Sequence, residues 1–86
     1  MYNVSVSHKA EKVLDRLPND YYQLISKHLL ELEQNPRPFG YRKLTGFENL
    51  YRIRVGAYRV VYSIQDVVLI VEVIIIDHRR DVYKNR

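Results

Sequence analysis

The chain has 86 residues, 47% of them apolar, with no cysteine and a formal net charge of +4. That length suits a single compact domain over residues 1–86, with a real hydrophobic core, and excludes two domains. Without cysteine, disulfide staples and thiolate metal sites are excluded, and a reducing cytoplasmic setting is expected.

Tyr2, Val4 and Val6 alternate with Asn3, Ser5 and Ser7, the period of a short strand. The segment Met1 to Val6 lacks a basic region followed by a signal-type apolar run, so no signal segment is expected there. Ser7 suits the N-cap of a first helix, whose inward face would be Ala10, Val13, Leu14 and Leu17, stopped by Pro18 and Asn19. Asp20 with Gln23 resembles a capping box for a second helix. Its inward stripe would be Tyr21, Leu24, Ile25, Leu29 and Leu32, and Asn35-Pro36-Arg37-Pro38 ends it. Phe39 to Asn49 reads as a connection turning at Gly40 and Gly46, with Tyr41-Arg42-Lys43-Leu44 extended.

Tyr51 to Val55 and Tyr58 to Tyr62 alternate strictly on either side of Gly56-Ala57, and Gly first in a two-residue loop suits a type II′ hairpin. The register then sets Val55 opposite Tyr58, Arg54 opposite Arg59, Ile53 opposite Val60, Arg52 opposite Val61 and Tyr51 opposite Tyr62. A second turn at Gln65-Asp66 leads into Val67 to Ile76, a β-branched run apolar on both faces, as a central covered strand should be. Glu72 interrupts that run, which is too short to span a bilayer as a helix, so no membrane association is expected. Asp77 to Arg86 forms a polar tail. The elements imply an α+β fold, β-α-α-β-β-β, with two N-terminal helices packed on a mainly antiparallel twisted sheet and a short C-terminal tail.

One face of the predicted hairpin is apolar or aromatic, and the other carries Arg52, Arg54 and Arg59 together. Like charges directly across a strand pair destabilise a sheet. A chain that tolerates them points to a dense positive site for an anion, with phosphate the obvious candidate. The charge is also uneven along the chain. Arg37, Arg42, Lys43, Arg52, Arg54, Arg59, Arg79, Arg80, Lys84 and Arg86 outnumber Glu48, Asp66, Glu72, Asp77 and Asp81 in the second half. A basic half of this kind points to a polyanionic partner, nucleic acid or an acidic protein.

Tyr51-Arg52-Ile53-Arg54, Gly56-Ala57-Tyr58-Arg59-Val60-Val61-Tyr62 and His78-Arg79-Arg80-Asp81-Val82-Tyr83 resemble the RelE-type toxins of bacterial and archaeal toxin–antitoxin systems, as does Lys43-Leu44-Thr45-Gly46 ahead of the hairpin. The similarity extends over nearly the whole chain in length and element order. It implies a RelE-like fold and a ribosome-dependent mRNA endonuclease of the translation machinery. Such an enzyme cuts the A-site codon through attack of the RNA's own 2′-hydroxyl on the adjacent phosphate, with no metal or cofactor. It also implies a small acidic RelB-like antitoxin as partner. Arg52, Arg54, Arg59, Arg79 and Tyr83 fall where the family keeps its active-site groups. Well-known members have lysine at the positions of Arg52 and Arg54, and more residues between the final arginine and tyrosine than Arg79 to Tyr83 allows.

Cleavage by a 2′-hydroxyl requires removal of its proton, compensation of phosphorane charge and protonation of the leaving oxygen. Arg59 suits charge compensation, against the alternative that it only pairs with Glu72, which a two-residue turn at Gln65-Asp66 would set opposite it. Arg52 and Arg54 bind phosphate but remain protonated, with a pKa of about 12 or more. Arg79 would lie by the leaving group, and Tyr83 would stack on a base. His78 is the nearby side chain with an ordinary pKa of about 6.5, suited to moving protons near neutrality; Glu72 is the other candidate base. Arg42, Lys43 and Arg80 are candidates for RNA-backbone contacts. His8 and His28 read as structural or solvated, and Tyr2, Tyr51, Tyr58 and Tyr62 as core. The competing readings are a ParE-like toxin that inhibits DNA gyrase without catalysis, and an inactive RNA-binding relative.

Overall fold

The computed structural model describes residues 1–78. Strand β1 (Asn3–Val6) is followed by helices α1 (His8–Asp15) and α2 (Asn19–Gln34), then β2 (Arg42–Lys43), β3 (Leu50–Val55), β4 (Tyr58–Gln65) and β5 (Ile70–His78). One sheet contains them in the order β1-β5-β4-β3-β2. β1 runs parallel to β5, and every other neighbouring pair is antiparallel. The α+β arrangement expected from the sequence is present, and the extended segment before the hairpin contributes Arg42–Lys43 as a short edge strand.

Ser7 begins α1 as its composition implies. Its hydroxyl accepts from the Ala10 N–H at 3.1 Å and donates to the Ile74 carbonyl at 2.8 Å, so one side chain caps the helix and ties it to β5. The second helix starts differently from expectation. Pro18 occupies its N-cap without a side-chain hydrogen bond, and Asp20 accepts instead from the adjacent Tyr21 N–H at 2.9 Å, so no Asp20–Gln23 capping box forms. Pro18 starts α2 through its restricted backbone, which presets the entry to the first turn.

Ala10 and Leu14 of α1 and Ile25, Leu29 and Leu32 of α2 pack against Tyr51, Ile53, Val55, Val60, Tyr62, Ile64, Val71, Val73 and Ile76. Val13, Leu17, Tyr2 and Tyr58 pack partly buried around that core. Leu24, expected inside, lies on the solvent side of α2, where the stripe narrows to Ile25, Leu29 and Leu32. The helices therefore cover one face of the sheet. Strand alternation turns Arg52, Arg54 and Arg59 to the other.

The hairpin register of β3 and β4 is the one predicted, from Val55 opposite Tyr58 to Tyr51 opposite Tyr62. Gly56 takes φ +60° while Ala57 stays negative, the signature of a type II′ turn. The β4–β5 connection departs from expectation. Its pairing begins at Gln65 opposite Ile70, so Asp66 to Leu69 form a four-residue turn, with Val67 97% exposed and Leu69 at φ +56°. A β-bulge then inserts Ile74 between the Tyr62–Val73 and Val61–Ile75 pairs. The longer turn and the bulge together place Asp77, not Glu72, opposite Arg59; Glu72 lies across from Ser63 and is exposed.

Candidate functional site

Two like-charge pairs meet on the open face of the sheet. Arg54 lies directly across from Arg59 in the β3–β4 ladder, and Arg42 across from Arg52 in the β2–β3 ladder. Partial burial first, and then the charges of Arg54, Arg42 and Arg59, push the Arg52 guanidinium below its ordinary pKa. The charges of Arg54, Arg42 and Arg59 thus reach Arg52 through space. Such mutual repulsion has no benefit to the fold. It is relieved by an anion, and a guanidinium's forked donors match phosphate oxygens.

Asp77 supplies the counter-charge within this group. Arg59 donates from Nε to Oδ1 at 3.2 Å and from Nη2 to Oδ2 at 3.0 Å, a two-point ion pair with the side chains 30% and 23% exposed. A guanidinium has five N–H donors. This grip occupies the Nε edge and leaves Nη1 and the second Nη2 hydrogen for another acceptor. Continuing the Tyr62–Val73 pairing without the bulge would set Ile76 across from Arg59, so the extra residue in β5 is what brings a carboxylate to that guanidinium.

The remaining candidates are distributed differently. Lys43 pairs with Tyr51, and alternation turns it away from the arginine face. His78 pairs with Tyr58 on the helix-covered side, with its ring edge-on to the Tyr58 ring at 5.1 Å. There it lines a cleft of about 690 Å³ with Lys9 and Lys12 of α1 and Arg16 at its C-cap. The structure therefore brings Arg42, Arg52, Arg54 and Arg59 together and places His78 on the opposite face. Arg79, Arg80 and Tyr83 lie outside the described residues. Among the described residues, no group of three His, Asp or Glu side chains is placed to hold a metal ion.

A network absent from the sequence reading holds the segment leading to Arg42. Buried Tyr62 donates its hydroxyl to the Pro36 carbonyl at 2.7 Å. Arg37 grips both Asp66 oxygens, from Nη1 at 3.1 Å and Nη2 at 2.9 Å, and lies 5.4 Å from the centroid of the Tyr51 ring. Tyr2 also donates to Asp66 Oδ1, at 2.7 Å. Hydrogen bonds from Arg37 and then Tyr2 hold the Asp66 carboxyl down to about 2. Burial pushes the Tyr62 phenol well above its usual range. These contacts join residues far apart in the chain, so periodicity carries no signal for them.

Residues 4–83 match the family described as the ParE toxin of the type II toxin–antitoxin system, parDE. A protein of Methanocaldococcus jannaschii assigned as toxin RelE1 is 30% identical over 89 residues, spanning 98% of this chain and 97% of its own. A chain of the archaeal RelE–RelB complex from Pyrococcus horikoshii superposes with a TM-score of 0.82 at 31% identity, covering 91% of this chain and 94% of that one. The chain belongs to the RelE/ParE toxin superfamily, as a RelE-type toxin. The isolated E. coli RelE toxin has the same architecture, with a TM-score of 0.80 at 28% identity over 99% of this chain and 94% of that one. No helix among the described residues of this RelE-type toxin is long and apolar enough to cross a membrane.

Proposed function

We propose that this RelE-type toxin is a ribosome-dependent, metal-independent endoribonuclease that cuts mRNA in the A site. The observation that carries the reading is the arginine face, where Arg42 lies across from Arg52 and Arg54 across from Arg59. In this mechanism the 2′-hydroxyl of one nucleotide attacks the adjacent phosphorus. The phosphorus–oxygen bond to the next nucleotide breaks, leaving a 2′,3′-cyclic phosphate and a free 5′-hydroxyl. Arg59, held by Asp77, directs its remaining donors at the phosphorane oxygens; Arg52 and Arg54 offset their charge, and Arg42 holds the backbone upstream. Arg79 serves the leaving oxygen, Tyr83 stacks on a base, and Arg80 contacts a flanking phosphate; Lys43, turned to the other face, would reach only RNA that passes around the β2 edge.

His78 has the chemistry of a proton carrier but lies on the face away from Arg59. A large fall in the single-turnover cleavage rate of His78→Gln, with ribosome affinity unchanged, would assign it that role.

We also infer a small acidic RelB-like antitoxin as partner, in the cytoplasm. The intact E. coli RelBE complex, whose matching chain is 28% identical with a TM-score of 0.79, is a toxin–antitoxin assembly, and the P. horikoshii chain comes from another. The test is to induce the protein alone, map mRNA 5′ ends and assay plasmid supercoiling in the same cells. Cuts within translated frames are expected, and Arg59→Ala should abolish most of them while the protein still folds. Intact mRNA with lost supercoiling overturns the endonuclease in favour of gyrase inhibition, the second reading, which the ParE description of the family match favours.

A further inference from the structure

The segment between α2 and β2 presents an aromatic ring that the fold does not use. Phe39 is 108% exposed, so its ring packs against nothing, yet its backbone is firmly held. The Tyr41 N–H donates to the Pro38 carbonyl at 3.0 Å, closing a turn with Phe39 and Gly40 at its centre. Gly40 has φ +90°, as the third residue of a type II turn requires. Upstream, the Tyr62–Pro36 hydrogen bond and the Arg37–Asp66 grip fix the chain before the turn; downstream, Arg42 joins the sheet. A large ring held outward on a turn anchored at both ends is a poor solution for folding and a good one for contact with a flat ligand.

Beside that ring is a cleft of about 400 Å³, lined by His28 and Glu31 of α2, Phe39, and Arg52, Ile53 and Arg54 of β3. The Leu44 N–H donates to the Leu50 carbonyl, so ladder alternation turns the backbone groups of Leu50, Arg52 and Arg54 toward β2. β2 ends at Arg42, opposite Arg52, which leaves the backbone of Arg54 at an open edge. The cleft thus combines strand-edge backbone groups of β3 and one carboxylate, beside the outward Phe39 ring and at the edge from which Arg52 and Arg54 turn to the open face. Glu31 Oε1 lies 3.4 Å from His28 Nδ1, and the Glu31 side chain is 56% exposed.

We propose that this cleft is a base-binding subsite for single-stranded RNA, in which one nucleobase stacks on Phe39 and an exocyclic amino group donates to Glu31. The identity of the ligand as RNA rests on the endonuclease reading; the stacking geometry does not. The arginines favour a polyanion over an acidic peptide strand here, because they bind phosphates while the ring takes the attached base. The carboxylate favours guanine, cytosine or adenine, which carry amino groups, over uracil, which has none.

The test uses fluorescence anisotropy of the purified protein with RNA hexamers, free of ribosomes and of any cleavage readout. The hexamers carry adenine, cytosine, guanine, uracil or an abasic site at one central position. Phe39→Ala should weaken binding of base-bearing hexamers by about ten- to a hundredfold, the usual range for one stacked base. Phe39→Trp should restore it and Phe39→Leu should not, with the melting temperature unchanged in all three. Glu31→Gln should reduce the preference over uracil. Equal losses on base-bearing and abasic RNA, unchanged binding in Phe39→Ala, or no measurable binding by the wild-type protein would each overturn the subsite. So would a Phe39→Ala protein that binds RNA normally but fails to bind an acidic antitoxin peptide. Failure here with normal ribosomal cleavage refutes the subsite alone, whereas base-dependent hexamer binding without mRNA cutting refutes the endonuclease alone.

Discussion

Replacing Asp77 by asparagine removes the counter-charge from the arginine face and tests whether the β5 bulge matters for it. The Arg59–Asp77 pair makes two charged contacts at 3.2 and 3.0 Å, with side chains 30% and 23% exposed. Fully exposed pairs contribute about 0.2–1 kcal/mol, and hydrogen bonds to charged groups about 1.5–3 kcal/mol. A half-screened, two-point pair falls between these, at about 1–2 kcal/mol. Asp77→Asn should therefore destabilise by about 1–2 kcal/mol, or roughly 4–16 °C in melting temperature for a domain of this size. The assay is a double-mutant cycle with Arg59→Met, followed by thermal and urea denaturation. Asp77→Asn should be nearly neutral once Arg59 is gone, giving a coupling of about 1–2 kcal/mol, and the coupling should shrink in 1 M salt. Additivity within about 0.5 kcal/mol would refute the pair as an energetic contact and remove the argument that Asp77 holds Arg59.

Tyr62→Phe should cost about 1–3 kcal/mol, because the Pro36 carbonyl loses its 2.7 Å donor inside the protein; urea denaturation measures it, and wild-type stability would refute it. Asp66 has a folded pKa of about 2, below its ordinary value of about 3.9. Its contribution to stability is therefore present above pH 4 and lost as pH falls through 2. Melting curves of Asp66→Asn should converge on those of the wild type across that window, and parallel curves would contradict the Arg37–Asp66–Tyr2 linkage. Gly56→Ala should destabilise by about 1–3 kcal/mol, since alanine disfavours φ +60° and its Cβ would meet Tyr21 Cε1 at 3.3 Å. Leu69→Asn should stabilise by about 0.5–1 kcal/mol by placing a residue tolerant of φ +56° in the β4–β5 turn; both are read by denaturant midpoint.

The sequence by itself determined what depends on neighbours close along the chain. Strict alternation around Gly56-Ala57 specified the hairpin register and with it the side on which Arg52, Arg54 and Arg59 gather, because a two-residue turn leaves no slack between its strands. Ser7 and the stripe at Ala10 and Leu14 placed α1 for the same reason. The tertiary structure decided what no local pattern encodes. Val67 to Ile76 is apolar on both faces, so its composition admits more than one register. The parallel pairing with β1, the Ser7 hydroxyl on the Ile74 carbonyl and the packing of Val73 and Ile76 into one core select the bulged register. That choice moved Arg59's partner from Glu72 to Asp77 and turned His78 toward Tyr58. The Arg37–Asp66 grip and the outward Phe39 turn likewise appear only when the end of α2 meets the β4–β5 turn, since charge pairing across 29 residues leaves no periodic trace in the chain.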